Sequence, residues 1–271
     1  MPELPEVETI AKYLRSEHGV VGKTISGAQV LWPRSLMVPS INKFVEEIRG
    51  QKINAVDRRG KFLKLDLTRQ TFLIHLRMSG DIFVESGKTS RETKHDRVIL
   101  DFSDGSRMAF NDTRKFGRVW LVDDPLTVTG GLGPEPLGES LSVDSFSAML
   151  GSVKRQIKPL LMDQTFIAGL GNIYTDEALF LAGIHPCTPS DRIGDGKASD
   201  LLAAIREVLQ EGIRRNGASI DWVYRGGDFQ NQFQVYQRTS LPCYRCGTTI
   251  ERITVAQRGT HFCPHCQPLI S

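Results

Sequence analysis

The chain has 271 residues, of which 40% are hydrophobic and 24% are charged, and its formal net charge is +3. This length suits one large domain or two modest ones, and the composition excludes intrinsic disorder, collagen and coiled coil for the chain as a whole. The apolar runs are far shorter than the ~20 residues of a membrane-spanning helix, and no charged start precedes an apolar stretch. We therefore expect a cytoplasmic protein with no membrane partner.

The amino-terminal part of the chain is typical of one helix followed by many short strands. Pro5 can open the helix, and apolar residues then recur at helical spacing from Val7 to Leu14. Short β-type runs, punctuated by Gly, Asp and Ser, predict strands over 52–57, 62–67, 71–76, 97–102 and 119–122. Short strands at close spacing favour an antiparallel sandwich or barrel.

The second half of the chain has a helical pattern and begins after a run of glycines and prolines at 130–136. Helices are predicted over 142–150, 159–164, 174–182 and 199–215, and a loop over 221–232. The sequence thus predicts an α+β multidomain protein. Its parts are an antiparallel β-sandwich at 1–130, a hinge at 131–145, a helical domain at 146–237 and a cysteine-bearing tail at 238–271.

Four cysteines near the carboxyl end are spaced like zinc ligands. Cys243 and Cys246 form one Cys-x-x-Cys pair, and Cys263 and Cys266 form a second pair 16 residues later. Such pairs suit two turns of a hairpin that share one tetrahedral ion, so we expect one structural Zn²⁺. Disulfides or free thiols are the alternative. Arg258, beside a glycine at the expected hairpin tip, suits phosphate contact, although a solvated tip fits equally well.

The first residues offer an unusual nucleophile. Removal of Met1 would leave Pro2 with a free secondary amine, whose pKa lies well below that of a lysine. Such an amine can attack a carbonyl-like carbon and form an iminium, and the carboxylates of Glu3 and Glu6 stand beside it for proton transfer. The alternative is a proline-capped helix with an acidic first turn, and retained Met1 would block the amine.

Six motifs, in this order, resemble the bacterial formamidopyrimidine-DNA glycosylase family over essentially the whole chain. They are Pro-Glu-Leu-Pro-Glu-Val-Glu-Thr at 2–9, Arg-Gly-Lys-Phe at 59–62, His-Leu-Arg-Met-Ser-Gly at 75–80, Asp-Thr-Arg-Lys-Phe-Gly at 112–117, Ala-Gly-Leu-Gly-Asn-Ile-Tyr at 168–174, and the tail from Arg258. The resemblance implies a helix–two-turn–helix domain, a four-cysteine zinc finger and a monomer that binds damaged double-stranded DNA. It also implies base-excision repair of oxidised purines, by an N-glycosylase that is also an abasic-site lyase.

The resemblance also implies a role for each motif residue. Pro2 would be the nucleophile at C1′, Glu3 would protonate the opening sugar, and Glu6 would support the site. Lys61 would assist β-elimination, and Arg258 would grip phosphate and assist δ-elimination.

Other residues resemble the family's DNA contacts. Met78, Arg114 and Phe116 would fill the void left by an extruded nucleotide, although Met78 and Phe116 by themselves fit ordinary core packing equally well. The implied DNA contacts are His95, Met78, Arg114, Phe116, Lys154 and Asn172.

Two alternatives stay open at this point. One is the endonuclease-VIII-type branch, which prefers oxidised pyrimidines, and the other is a non-catalytic, zinc-containing protein that binds damaged DNA. The chain also departs from the family in the 219–230 loop, which would contact the flipped base, and at Gln237 and Gln257, where glycine is common.

Overall fold

Residues 1–85, 93–219 and 226–269 are described by a computed structural model of the chain. The chain divides into two units, Met1–Gly131 and Leu132–Ser271. The finer division, with a hinge at 131–145 and a boundary between 237 and 238, stays a prediction.

The first helix begins as the sequence predicts. Helix α1 spans Leu4–Arg15, has Pro5 in its first turn and starts with a capping box between Glu3 and Glu6. Its apolar residues are fully buried and contact the strands of the first unit. A capping box satisfies backbone N–H groups that a helix start leaves unpaired, so the two acidic residues stabilise this end of α1.

Two β-sheets form the sandwich of the first unit, as predicted. The strands are β1 (Ile25–Val30), β2 (Leu36–Val38), β3 (Ile53–Arg59), β4 (Phe62–Leu67), β5 (Thr71–His75), β6 (Gly80–Glu85), β7 (Asp96–Phe102), β8 (Arg107–Asp112) and β9 (Arg118–Val122). One sheet has the order β1-β7-β8-β6 and the other β2-β9-β5-β4-β3. All pairings are antiparallel except that of β2 with β9. Helices α2 (Ile41–Ile48) and α3 (Leu126–Thr129) complete this unit.

The second unit is built around one buried helix. Helices α4 (Val143–Gly151), α5 (Ile157–Met162), α6 (Asn172–Ala182) and α7 (Asp195–Arg214) precede a hairpin of β10 (Glu251–Val255) and β11 (Arg258–Phe262). Helix α6 contacts α5, α7 and β11, and Gly183 ends it in the left-handed conformation at φ 66°. The β10–β11 hairpin therefore packs against a helix that also contacts α5 and α7.

Across the described ranges of both units, the helices are all too short or too polar to span a lipid bilayer.

Candidate active site and DNA-contacting loops

The residues at the start of the chain form a buried acidic cluster. Glu3 is 3% exposed and Glu6 is 4% exposed, and Pro2 is also buried. The backbone N–H of Glu3 donates a hydrogen bond to Oε2 of Glu6 at 2.7 Å. Glu6 thus fixes the backbone of the residue that follows Pro2, and this leaves two carboxyl groups next to the proline in a setting that excludes most water.

Lys61 lies in the tight turn between β3 and β4. Gly60 makes this turn possible because it adopts a φ of 54°, which a side chain would disfavour. Lys61 is 5% exposed. Helix α1 contacts both β3 and β4, the strands on either side of Lys61. The fold thus places a buried cation at the edge of the sheet on which α1 packs.

His75, at the end of β5, is uncharged at neutral pH. Burial, together with the positive charges of Arg77 and Lys61, lowers the pKa of His75 to about 3. Its Nδ1 accepts a hydrogen bond from the backbone N–H of Arg77 at 3.0 Å, which places the ring proton on Nε2. His75 therefore fixes the backbone at Arg77, in the turn after β5, and adds no positive charge to those of Arg77 and Lys61.

The turn that carries Met78 and the loop that carries Arg114 and Phe116 both expose apolar side chains. Met78 is 38% exposed and Phe116 is 47% exposed. The guanidinium carbon of Arg114 lies 5.3 Å from the centre of the Phe116 ring. The alternative that Met78 and Phe116 are core residues is therefore wrong. Apolar wedges that enter DNA need such exposure.

Two further predicted DNA contacts lie in surface turns of different units. His95 is half-buried in the turn before β7. Lys154 is exposed in the connection between α4 and α5.

In the second unit, two predicted contact residues come together. Asn172 is the first residue of α6, and its Nδ2 donates to the carbonyl oxygen of Gly259 at 3.2 Å. Arg258, the preceding residue, is exposed and begins β11. The Asn172 amide thus lies against the backbone of the residue that follows Arg258, so the start of α6 and the hairpin tip are in contact.

A buried ion pair behind this surface was missed by the sequence reasoning. Lys158 and Asp176 are almost completely buried, with Nζ 2.6 Å from the carboxylate. Lys158 also donates to the carbonyl oxygen of Gly259 at 3.1 Å, and Asp176 accepts from the backbone N–H of His261 at 2.9 Å. This pair fixes the backbone of β11 at Gly259 and His261, directly after Arg258. The sequence feature that could have indicated this ion pair is a single lysine within the otherwise apolar stretch 157–162.

The four cysteines form a site that fits a tetrahedral metal ion. All four Sγ atoms lie within 4.8 Å of one another, and the close pairs, Cys246–Cys263, Cys246–Cys266 and Cys243–Cys266, are 3.5, 3.5 and 3.9 Å apart. Zinc–sulfur bonds of about 2.3 Å give a tetrahedron with edges of about 3.8 Å, whereas a disulfide needs about 2.05 Å. The disulfide alternative is therefore wrong, and one structural Zn²⁺ fits these residues.

This metal site is attached to α6. Cys243 and Cys263 pack with Phe180, Val235 and Ile250 in one small apolar cluster. The guanidinium carbon of Arg245 lies 4.4 Å from the centre of the Phe180 ring. The ion would therefore hold a short segment against the buried helix.

Family models match the chain in three consecutive segments. The formamidopyrimidine-DNA glycosylase N-terminal domain matches residues 1–119, and the H2TH domain of the same proteins matches 132–223. A zinc finger found in FPG and IleRS matches 240–269. A formamidopyrimidine-DNA glycosylase from Chloroflexus aurantiacus is 46% identical, and the alignment covers 98% of each chain. The chain belongs to the formamidopyrimidine-DNA glycosylase family.

Other members of the formamidopyrimidine-DNA glycosylase family support the same assignment. The protein from Protochlamydia amoebophila is 42% identical over 98% of this chain and 99% of its own length. A solved structure of MutM in complex with DNA containing carbocyclic 8-oxo-G is 37% identical, with a TM-score of 0.91 over 98% of this chain and 100% of that one. The Lactococcus lactis FPG (MutM) complex with FAPY-dG DNA is 36% identical, with a TM-score of 0.90 over the same shares.

The two positions at which the sequence analysis noted glutamine in place of glycine share one backbone conformation. Gln237 and Gln257 adopt φ values of 56° and 62°, in the left-handed region that favours glycine. A glutamine there costs about 1–2 kcal/mol relative to a relaxed backbone. Ala256 and Gln257 form the tight turn between β10 and β11, so the hairpin keeps its shape without glycine. Residues 220–225 of the departing loop lie outside the described residues.

Proposed function

We propose that this chain removes oxidised purines, namely formamidopyrimidines and 8-oxoguanine, from duplex DNA, and then cuts the strand as an abasic-site lyase. The observation that carries the proposal is the buried pair of carboxyl groups that follows Pro2, on a helix packed against the strands around Lys61. Solved relatives bound to DNA with 8-oxo-G and FAPY-dG support the choice of purine lesions. The protein acts as a monomer on DNA in the cytoplasm.

The chemistry starts with the free amine of Pro2 after Met1 is removed. Its nitrogen attacks C1′ of the damaged nucleotide, a bond from nitrogen to C1′ forms, and the bond from C1′ to the base breaks. Glu3 gives a proton to the sugar oxygen as the bond from C1′ to that oxygen breaks and the ring opens. The base leaves with the electron pair of its own bond and takes up the proton that the Pro2 nitrogen loses. The resulting iminium carries no proton on nitrogen, so it stays cationic and accepts electrons in the next step.

Strand cleavage follows from that iminium. Loss of a proton from C2′ expels the phosphate on the 3′ side, and a second elimination expels the phosphate on the 5′ side. Lys61 and Arg258 assist these steps because a cation near a leaving phosphate stabilises its developing charge. Water then releases the amine of Pro2 and the sugar fragment.

When the damaged nucleotide is extruded, protein side chains must fill the gap that it leaves in the base stack. Taking a base out of the stack costs a few kcal/mol. Met78 and Phe116 enter the gap and wedge the neighbouring bases, and Arg114 donates hydrogen bonds to the base left without a partner. Their exposure on adjacent loops supports this role.

DNA binding depends on Arg258, and its loss has a measurable signature. We expect Arg258→Ala to weaken binding to duplexes of every sequence and to reduce the slope of log K against log salt by about 1, because one phosphate contact disappears. Arg214→Ala, an exposed arginine at the end of α7 in the same unit, is the control, and we expect its slope to equal that of the wild type. Fluorescence anisotropy over a salt series measures both slopes, and an unchanged slope in Arg258→Ala would show that this arginine does not contact phosphate.

The test of the whole proposal compares two lesions in defined duplexes. We expect faster release of 8-oxoguanine opposite cytosine than of thymine glycol opposite adenine, measured as single-turnover rates of base release. Faster release of thymine glycol would assign the chain to the pyrimidine-specific alternative. Binding with no release of either base would leave the non-catalytic alternative.

A further inference from the structure

Asp112, at the end of β8, is completely buried, and its carboxylate holds three donors. One oxygen accepts from the backbone N–H of Arg114 at 3.1 Å and from the hydroxyl of Ser79, and the other accepts from the backbone N–H of Gly117 at 2.7 Å. The Ser79 hydroxyl oxygen also accepts from the N–H of Arg114 at 3.2 Å. One carboxylate thus bonds its own loop at two points and a separate turn at a third.

The backbone of Asp112 holds a third segment. Its N–H donates to the carbonyl oxygen of His95 at 2.9 Å, and its carbonyl oxygen accepts from Nε of the buried Arg97 at 2.7 Å. Arg97 donates a further hydrogen bond to the carbonyl oxygen of Lys94 at 3.0 Å. The turn before β7 is therefore tied to the same residue.

These contacts coincide with the predicted DNA contacts of the first unit. Met78 precedes Ser79, and Phe116 precedes Gly117, while Arg114 and His95 are themselves bonded to Asp112. An aspartate that served only its own turn would bond only residues 112–117. Here the bonded residues come from three segments at neighbouring ends of β6, β7 and β8, and each segment carries an exposed or half-buried candidate for DNA contact.

The backbone of the Met78 turn and that of the Arg114–Phe116 loop both adopt costly conformations, which these hydrogen bonds stabilise. Arg77 and Lys115 have φ values of 56° and 62°, which are costly for residues with a side chain. A Cβ at Gly80 would lie 2.5 Å from the carbonyl oxygen of Leu76, and one at Gly117 would overlap the ring of Phe110. Strained backbone of this kind persists where surrounding contacts fix it.

We propose that Ser79 and Asp112 are positioning residues that lock the Met78 turn to the Arg114–Phe116 loop, so that the three side chains enter DNA as one rigid wedge. The inference rests on the proposed function, since it concerns how the extruded nucleotide is replaced. A fixed wedge removes the cost of ordering two loops at the moment of insertion. The chemistry at Pro2 does not need the wedge when the sugar is already accessible.

The test compares two substrates for Ser79→Ala, which leaves both backbone bonds to the Asp112 carboxylate in place. The first is 8-oxoguanine opposite cytosine in a duplex, and the second is an abasic site in a single strand, where no base must be extruded. We expect duplex excision to slow by about tenfold, the size of one lost hydrogen bond to a charged group, while single-strand cleavage changes less than about twofold. Single-turnover rates and melting temperatures are measured for each protein.

Ser106→Ala is the matched control. Ser106 lies next to the other end of β8, is also buried, and its hydroxyl also bonds an aspartate, Asp104, at 2.6 Å. We expect both of its rates to equal those of the wild type. Unchanged duplex excision in Ser79→Ala would overturn the inference, as would an equal loss on both substrates. A wild-type protein that releases no oxidised base from any duplex would instead contradict the proposed function, and this inference would fall with it.

Discussion

We expect Pro2→Gly to reduce borohydride trapping of the protein on duplex DNA that carries 8-oxoguanine by about 100-fold. Glycine keeps an amine, but its nitrogen is primary, so the adduct can lose a proton and become a neutral imine that accepts electrons poorly. Glycine also lacks the ring that fixes the backbone, and misplacement of a reacting atom by about 1 Å costs about 100-fold. Gel shift of the denatured covalent complex measures the yield.

Pro5→Ala is the control for this substitution. Pro5 lies in the first turn of α1, three residues along the chain from Pro2, and alanine is compatible with a helix. We expect its trapping yield to match that of the wild type. Undiminished trapping in Pro2→Gly would mean that another amine is the nucleophile.

We expect Glu3→Gln to slow release of 8-oxoguanine by about 1,000-fold, within the range expected for loss of a general acid. Glutamine has the same size and can still accept a hydrogen bond, so the start of α1 stays formed. Cleavage at a preformed abasic site falls much less, because the abasic sugar already opens to its aldehyde in solution and does not depend on a proton from Glu3 to do so. Single-turnover assays on the two duplexes separate these steps.

Glu6→Gln is the matched control for the acid. The Glu6 side chain accepts the N–H of Glu3, and a glutamine oxygen can accept the same bond. We expect a loss of less than about tenfold in base release, the size of one weakened hydrogen bond. Equal losses in the two variants would contradict the assignment of Glu3 as the proton donor.

Many elements of the fold could be predicted from local sequence patterns. The predicted strand at 62–67 has the bounds of β4, because its residues alternate strictly between buried and half-buried positions. The helix predicted at 199–215 is α7, which begins four residues earlier, at Asp195. The metal ligands were accessible for a similar reason, since Cys-x-x-Cys spacing is itself a local geometric constraint.

Other elements were missed because their sequences lack a periodic signal. Strand β6 starts with glycine and strand β8 ends in Asn-Asp, residues that strands disfavour, and their pairing with each other supplies the missing stability. Contacts between residues far apart in the sequence were missed at the candidate site as well. The bond from Ser79 to Asp112 joins residues 33 positions apart, and the Lys158–Asp176 pair joins two helices, so only the folded chain brings them together.

The exposure of Met78 and Phe116 shows where sequence reasoning from residue type alone goes wrong. Both residue types usually lie in cores, and neither position has a pattern that predicts otherwise. Each directly follows a residue with positive φ: Arg77 precedes Met78, and Lys115 precedes Phe116.

The most direct test of the account is to locate the covalent adduct. The protein is trapped on 8-oxoguanine duplex with borohydride, digested with nuclease and protease, and the modified peptide is sequenced by mass spectrometry. We expect a first residue of Pro2, without Met1, with the reduced sugar fragment on its nitrogen. An active protein that retains Met1, or an adduct on a lysine such as Lys61, would contradict the account.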